Sequence, residues 1–183
     1  MIEPVITHLR DGHRWLRVAD QEWRDPLDPT FAQRHGGRWN PPNSHATLYL
    51  NEDLDTARAQ IHMMLDGSPV HPEDMDQGFV LITAILPSRQ DAVDAATEDG
   101  LVGLGLPNTY PRDESGQAVQ HDVCQRIGAD VKALGLRGVH ARSAATPNGS
   151  GRELAWFPAR RSSRAKAVGD SIPFDIWWYD DDV

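Results

Sequence analysis

Apolar residues keep helical spacing in two stretches of the chain and alternate, or run together, in several shorter ones. Leu54, Ala57, Ile61, Met64 and Leu65 predict a helix that Asn51 or Asp53 can cap and Gly67 can end. Asp55, Arg58 and His62 take its wet face, while Gln60 borders the buried stripe and so needs a polar partner from protein or ligand. Val123, Ile127, Val131 and Leu134 predict a second helix over about 118–134, stopped by Gly135, with Gln125 off the stripe. Strands are predicted over 13–19, 46–50, 79–86, 137–142 and 153–157. In the first, Trp15, Arg17 and Ala19 share a face; in the second, Thr47 and Tyr49 oppose Ala46, Leu48 and Leu50. The third is a near-continuous apolar run of the kind buried on both faces. The loop from Thr146 to Gly151 carries a hairpin signal between the last two.

A short helix is predicted over 91–97. Residues 100–107 read as a loop, since their glycines do not match the order of a dinucleotide fingerprint. The aromatic stretch 172–179 is expected to pack back on the body. This order predicts an α+β fold with a mostly antiparallel sheet and flanking helices, and does not support a doubly wound nucleotide fold. With no repeat or long linker, one domain is expected over 1–183: a core at about 14–157, then an extension over 158–183 that ends in the acidic Asp180, Asp181 and Asp182.

Composition narrows the function. A formal charge of −9 over 183 residues argues against broad attachment to nucleic acid or an anionic membrane, though not against a local basic pocket. The basic group Arg160, Arg161, Arg164 and Lys166 reads as a solvated face. No apolar run approaches the ~20 residues of a membrane-spanning helix, and residues 1–5 lack the basic start and apolar block of a secretory signal. The single cysteine, Cys124, is compatible with a reducing cytoplasm. His71, Glu73, Asp74 and Asp76 have no ordered metal-ligand spacing, so no metal is expected.

The stretch Arg34-His35-Gly36-Gly37-Arg38-Trp39-Asn40-Pro41-Pro42 carries the most chemistry. Its glycines permit positive φ and close approach, and its prolines stiffen the exit. A rigid loop presenting Arg38, Trp39 and Asn40 can hold a planar, phosphate-bearing ligand, because a guanidinium pairs with phosphate and an indole stacks. The same residue types also build ordinary turns. Arg17, if turned inward, needs an anion or several acceptors, supplied either by the fold or by a ligand. Tyr49 can place its hydroxyl beside the Arg38 loop, as a core residue or as a ligand contact.

Gly36-Gly37-Arg38-Trp39-Asn40-Pro41-Pro42, then Leu48-Tyr49-Leu50, then a helix with a polar residue at 60, resembles the RES family, named for an Arg, a Glu and a Ser. The likeness continues through Leu104-Gly105-Leu106-Pro107, Gln125-Arg126-Ile127-Gly128, Gly138 and Ser143, and spans roughly residues 14–157. The resemblance implies a split, mostly antiparallel sheet like that of ADP-ribosyltransferases, and a bacterial toxin that cleaves NAD as substrate. By position it implies Arg38, Gln60 and Ser143 at the catalytic places, and Arg17, Arg38, Trp39, Asn40, Tyr49 and Gln125 around the NAD. Gln60 departs from the pattern, since it stands where the family has its Glu. A carboxylate there would balance the positive charge that builds on ribose as nicotinamide leaves. The implied reaction is phosphorolysis, hydrolysis or ADP-ribosyl transfer, weakened by Gln60. A protein that binds NAD without turnover, or an interaction module on the same scaffold, is the alternative. The resemblance also implies a cognate antitoxin partner, and a homo-oligomer is compatible with the sequence.

Overall fold

A computed structural model describes residues 3–75, 78–146, 148–160 and 164–183; Asp76 and Arg161 of the acidic and basic groups above, and Pro147 of the hairpin loop, lie outside them. The strands are β1 (Ile6–Leu9), β2 (Trp15–Asp20), β3 (Leu48–Asn51), β4 (Phe79–Ile85), β5 (Gln90–Ala95), β6 (Gly138–Arg142), β7 (Arg152–Trp156), β8 (Lys166–Ala167) and β9 (Ile172–Pro173). The helices are α1 (Thr30–His35), α2 (Leu54–Leu65), α3 (Glu98–Gly103), α4 (His121–Ala133) and α5 (Phe174–Trp177). The strands form one sheet in the order β1-β5-β6-β7-β3-β2-β4-β8, with β9 also against β4. Its pairings are antiparallel except β5 with β6, where α3 and α4 supply the long crossover that parallel neighbours need.

The expected α+β sheet with flanking helices is what forms. Helices α3 and α4 cover β5, β6 and β7, burying Leu101, Cys124, Ile127 and Val131 against Val93, Val139, Ala141 and Ala155. Helices α2 and α5 cover β2 and β4, where Ala57, Ile61, Phe174 and Trp177 meet Val18 and Leu81. Between these regions β2 and β3 touch at one register pair, Leu16 with Asn51, whereas β2 and β4 pair over six residues each. The sheet is therefore nearly split at that seam.

Several local expectations need correction. Residues 91–97 are mostly strand: β5 sits between β1 and β6 with Ala92, Val93 and Ala95 fully buried, and ladder pairing outweighs the helical leaning of its alanines. The following segment is helix α3, not loop, because Thr97 caps it by accepting from Gly100 N. Gly100 and Gly103 let that helix lie against the backbone carbonyls of Asp94 and Glu3. Asp53, not Asn51, caps α2, accepting from Thr56 N, and Met64 is half exposed, outside the α2 stripe. Leu134 is likewise exposed, beyond the end of α4. The sequence reading also missed β1 and α1; the latter buries no residue and so leaves no apolar stripe.

Candidate functional site

The glycine loop is a small closed hairpin. Gly36 takes φ 76° as the helix α1 ends, and Gly37 N donates to Asn40 O at 2.9 Å, which turns Arg38 and Trp39 to the tip. Tyr49 of β3 fastens it: its hydroxyl accepts from Trp39 N and donates to Asn40 Oδ1, both at 2.8 Å. Asn40 Nδ2 reaches back to Ala32 O at 2.7 Å. From the other side, Gln125 Nε2 donates to Gly37 O at 2.9 Å, and Gly128 of α4 lies so close to the Trp39 carbonyl that no side chain fits between them.

This fastening aims Arg38 into a cleft of about 470 Å3, ordinary for a small-molecule site. Arg17, Tyr49, Asn51, Gln60, Ser143 and Glu153 share its wall, and Trp23, Phe31 and Met63 give it a partly exposed apolar lip. Five expected residues (Arg17, Arg38, Tyr49, Gln60 and Ser143) thus come together. Three others do not line the cleft. Trp39 is fully buried beside Tyr110, Asn40 is spent on the loop's own hydrogen bonds, and Gln125 holds the Gly37 carbonyl. They build the wall behind Arg38.

Each lining group has a defined electrostatic setting. Burial lowers Arg38, but Tyr110, Cys124 and Glu153 outweigh it and strengthen its hold on the proton. Its Nη1 donates to Val119 O at 3.2 Å. Burial pulls Arg17 down to about 10, so it stays charged at neutral pH. Its Nε donates to Pro26 O and its Nη1 to Tyr49 O, both at 2.7 Å, and its guanidinium lies 5.5 Å from the Trp23 ring centre. The acceptors Arg17 needs are therefore backbone carbonyls, and the side chain bridges the seam between β2 and β3. Burial and the Arg38 charge lower His121, which is neutral at physiological pH. The Tyr49 phenol is pushed up by burial and stays protonated.

Gln60 finds its partner in Asn51, whose Nδ2 donates to Gln60 Oε1 at 2.8 Å. The sequence reading missed Glu153, which stands opposite Asn51 in the β3–β7 ladder. Its Oε2 accepts from Ser143 Oγ at 3.0 Å, and Ser143 Oγ in turn accepts from Ala145 N at 3.2 Å. Burial pushes the Glu153 carboxyl up; the Ser143 hydroxyl and the Arg38 charge pull it back only in part. Trp39 Nε1 adds a small pull without a well-formed hydrogen bond to any partner. A signal was present: Glu153 stands directly before the apolar run Leu154 to Phe157, on the same face as Ala155.

Among the described residues, no three His, Cys, Asp or Glu side chains gather as a metal site, and no helix is long and apolar enough to cross a membrane.

The RES domain family model matches residues 13–178. The chain belongs to the RES domain family. Curated relatives of this RES chain include the NAD(+) phosphorylases MbcT of Mycobacterium bovis and of Mycobacterium tuberculosis, each 27% identical over 118 residues. That match covers 63% of this chain and 60% of each relative. The fold is that of a chain in the crystal structure of the M. tuberculosis MbcT–MbcA toxin–antitoxin complex, with TM-score 0.74 and 19% identity, covering 93% of this chain and 90% of that one.

Proposed function

We propose that this RES protein cleaves the nicotinamide–ribose bond of NAD in the cytoplasm, with inorganic phosphate as the acceptor of ADP-ribose. The observation that carries this reading is the convergence of Arg38, Arg17, Tyr49 and Ser143 on one cleft inside a RES fold. Arg38 and Arg17 are the groups to meet the pyrophosphate, since guanidinium matches two phosphate oxygens at once. Tyr49 orders the Arg38 loop and borders the ribose. The related phosphorylases supply the choice of phosphate over water or a protein side chain.

The test is release of free nicotinamide from NAD by pure protein, with and without inorganic phosphate. Release that needs phosphate and is lost in Arg38→Ala is the expected result. No release above the Arg38→Ala control under either condition refutes the activity.

The neutral Gln60 favours a second reading, in which NAD is bound but not turned over. Calorimetric binding that Arg38→Ala abolishes, with no nicotinamide formed, would establish it. For a partner, the toxin–antitoxin complex of the structural neighbour supports an antitoxin-like protein seated over the cleft, where Trp23, Phe31 and Met63 form an apolar rim. Co-expression with candidate partners and recovery of NAD on complex formation tests this.

A further inference from the structure

Detaching nicotinamide from ribose leaves positive charge on C1″ and the ring oxygen, and a fixed anion beside the sugar is the strongest stabiliser a dry site can offer. Among the described residues lining the cleft, carboxyl groups come from Asp28 and Glu153. Asp28 is committed to the turn before α1: Oδ1 accepts from Thr30 N at 2.9 Å and Oδ2 from Thr30 Oγ1 at 2.7 Å. Gln60 carries no charge, and its carbonyl oxygen is already taken by Asn51. Glu153 is different. It sits between β6 and β3, opposite Ala141 and Asn51, with Arg38, Ser143 and Tyr49 on the same wall. Its Oε2 is aimed by the Ser143 hydroxyl, which the turn at Ala145 holds in place.

We propose that Glu153 is the catalytic carboxylate of this cleft, lying against the nicotinamide ribose, with Ser143 as its positioning residue. This rests on the NAD-cleaving reading and gives it the anion that Gln60 does not supply. As the C1″–N1 bond breaks, both electrons pass to the ring nitrogen and cancel its charge, so nicotinamide leaves neutral. The positive charge passes to C1″ and the ring oxygen, facing Glu153. It is discharged when an oxygen of inorganic phosphate donates a lone pair to C1″ and forms the new bond. Glu153 exchanges no proton in this sequence; its work is electrostatic.

Burial of this carboxyl also carries a cost in stability. An acid raised by burial binds more protons folded than unfolded, so its contribution to stability falls as pH rises from its unfolded value through its folded one. Removing the charge should then stabilise the protein at neutral pH while removing activity.

The experiment compares wild type, Glu153→Gln and Glu153→Asp, with NAD and inorganic phosphate, between about pH 5 and 8. Glu153→Gln should lower kcat by about 10²–10³-fold with KM changed less than about fivefold. Glu153→Asp should recover at least about tenfold of that loss. Wild-type kcat should rise with pH along an acid limb that Glu153→Gln abolishes. The groups facing Glu153 (Arg38, Tyr49, Tyr110 and Cys124) all hold one protonation state over this range, each being raised. A step from His121, which shares the cleft, would survive in the variant. Activity of Glu153→Gln within about threefold of wild type, or a loss carried by KM alone, overturns the assignment and leaves the NAD-cleaving reading standing. If Glu153→Gln does not fold, the neutral Glu153→Met is read in its place by the same kcat criterion. A wild type that releases no nicotinamide overturns both.

Discussion

The Tyr49 hydroxyl lies against Gly37 so closely that a Cβ added there would stand 2.5 Å from its oxygen. That hydroxyl also serves Trp39 N and Asn40 Oδ1, so one contact sets the shape of the loop that carries Arg38. Tyr49→Phe leaves a buried amide and a buried carboxamide oxygen unpaired. It should cost about 1–3 kcal/mol of stability by denaturant melts and weaken NAD binding measured by calorimetry. Gly37→Ala should do the same by steric displacement, at about 1–3 kcal/mol.

Gly128 gives an independent handle on the same loop from the side of α4. An alanine there drives α4 away from the Trp39 carbonyl and strains the Gln125 bond to Gly37. Gly128→Ala should lower Tm and raise KM for NAD together. Gly105→Ala is a fitting control: its φ of 69° strains any side chain, but an added Cβ there meets no neighbour within 4 Å. It should lower Tm without a matching change in KM.

The acid sensitivity of the fold should begin well above the carboxylate range. Burial and the nearby Lys132 charge pull His45 down to about 4, and its ring packs edge-on against Phe157 at 4.4 Å. A histidine that binds its proton more weakly folded than unfolded contributes fully above its unfolded value, near 6.5. That stability is lost as pH falls from there towards 4. Thermal melts from neutral pH downwards should show this loss, and His45→Leu should reduce it, leaving the shares of His13 and His121, which are also lowered. Asp94, lowered overall because the Thr97 and Ala96 bonds outweigh its burial, adds a separate loss below its own unfolded value of 3.8.

Charge at position 60 can be moved independently of position 153. Gln60→Glu keeps an acceptor for Asn51 Nδ2 and brings a carboxylate to the α2 side of the cleft. On a Glu153→Gln background it should restore nicotinamide release by about tenfold or more, since the transition state needs an anion near the ribose more than it needs one particular strand. Release assays on the double variant check this.

The legible part of the molecule was the part with strong local patterning. Helices α2 and α4 and strands β2, β3, β4, β6 and β7 follow from apolar spacing, and the glycine loop with Arg38, Tyr49 and Ser143 follows from motif order. What escaped depended on contacts distant in the chain. Nothing local to 91–97 announces pairing with β1 and β6, and nothing near Gly103 announces the Glu3 backbone it packs on. Glu153 escaped for the same reason: its meaning comes from Asn51, about a hundred positions earlier, and from the cleft the two share. Trp39 and Asn40 went the other way. Their residue types suit a ligand, yet the fold buries the Trp39 ring and spends the Asn40 carboxamide in making the loop.

The seam between β2 and β3 is closed by a side chain where a neighbouring pair of strands would use a ladder. Two of the five N–H donors of Arg17 are spent on the carbonyls of Pro26 and Tyr49. Those bonds fix the guanidinium in place and leave three donors for an anion, and a guanidinium already held loses less freedom when it binds one. The strap that ties the two halves of the sheet together is thus also a cation set in position at the cleft wall before any ligand arrives.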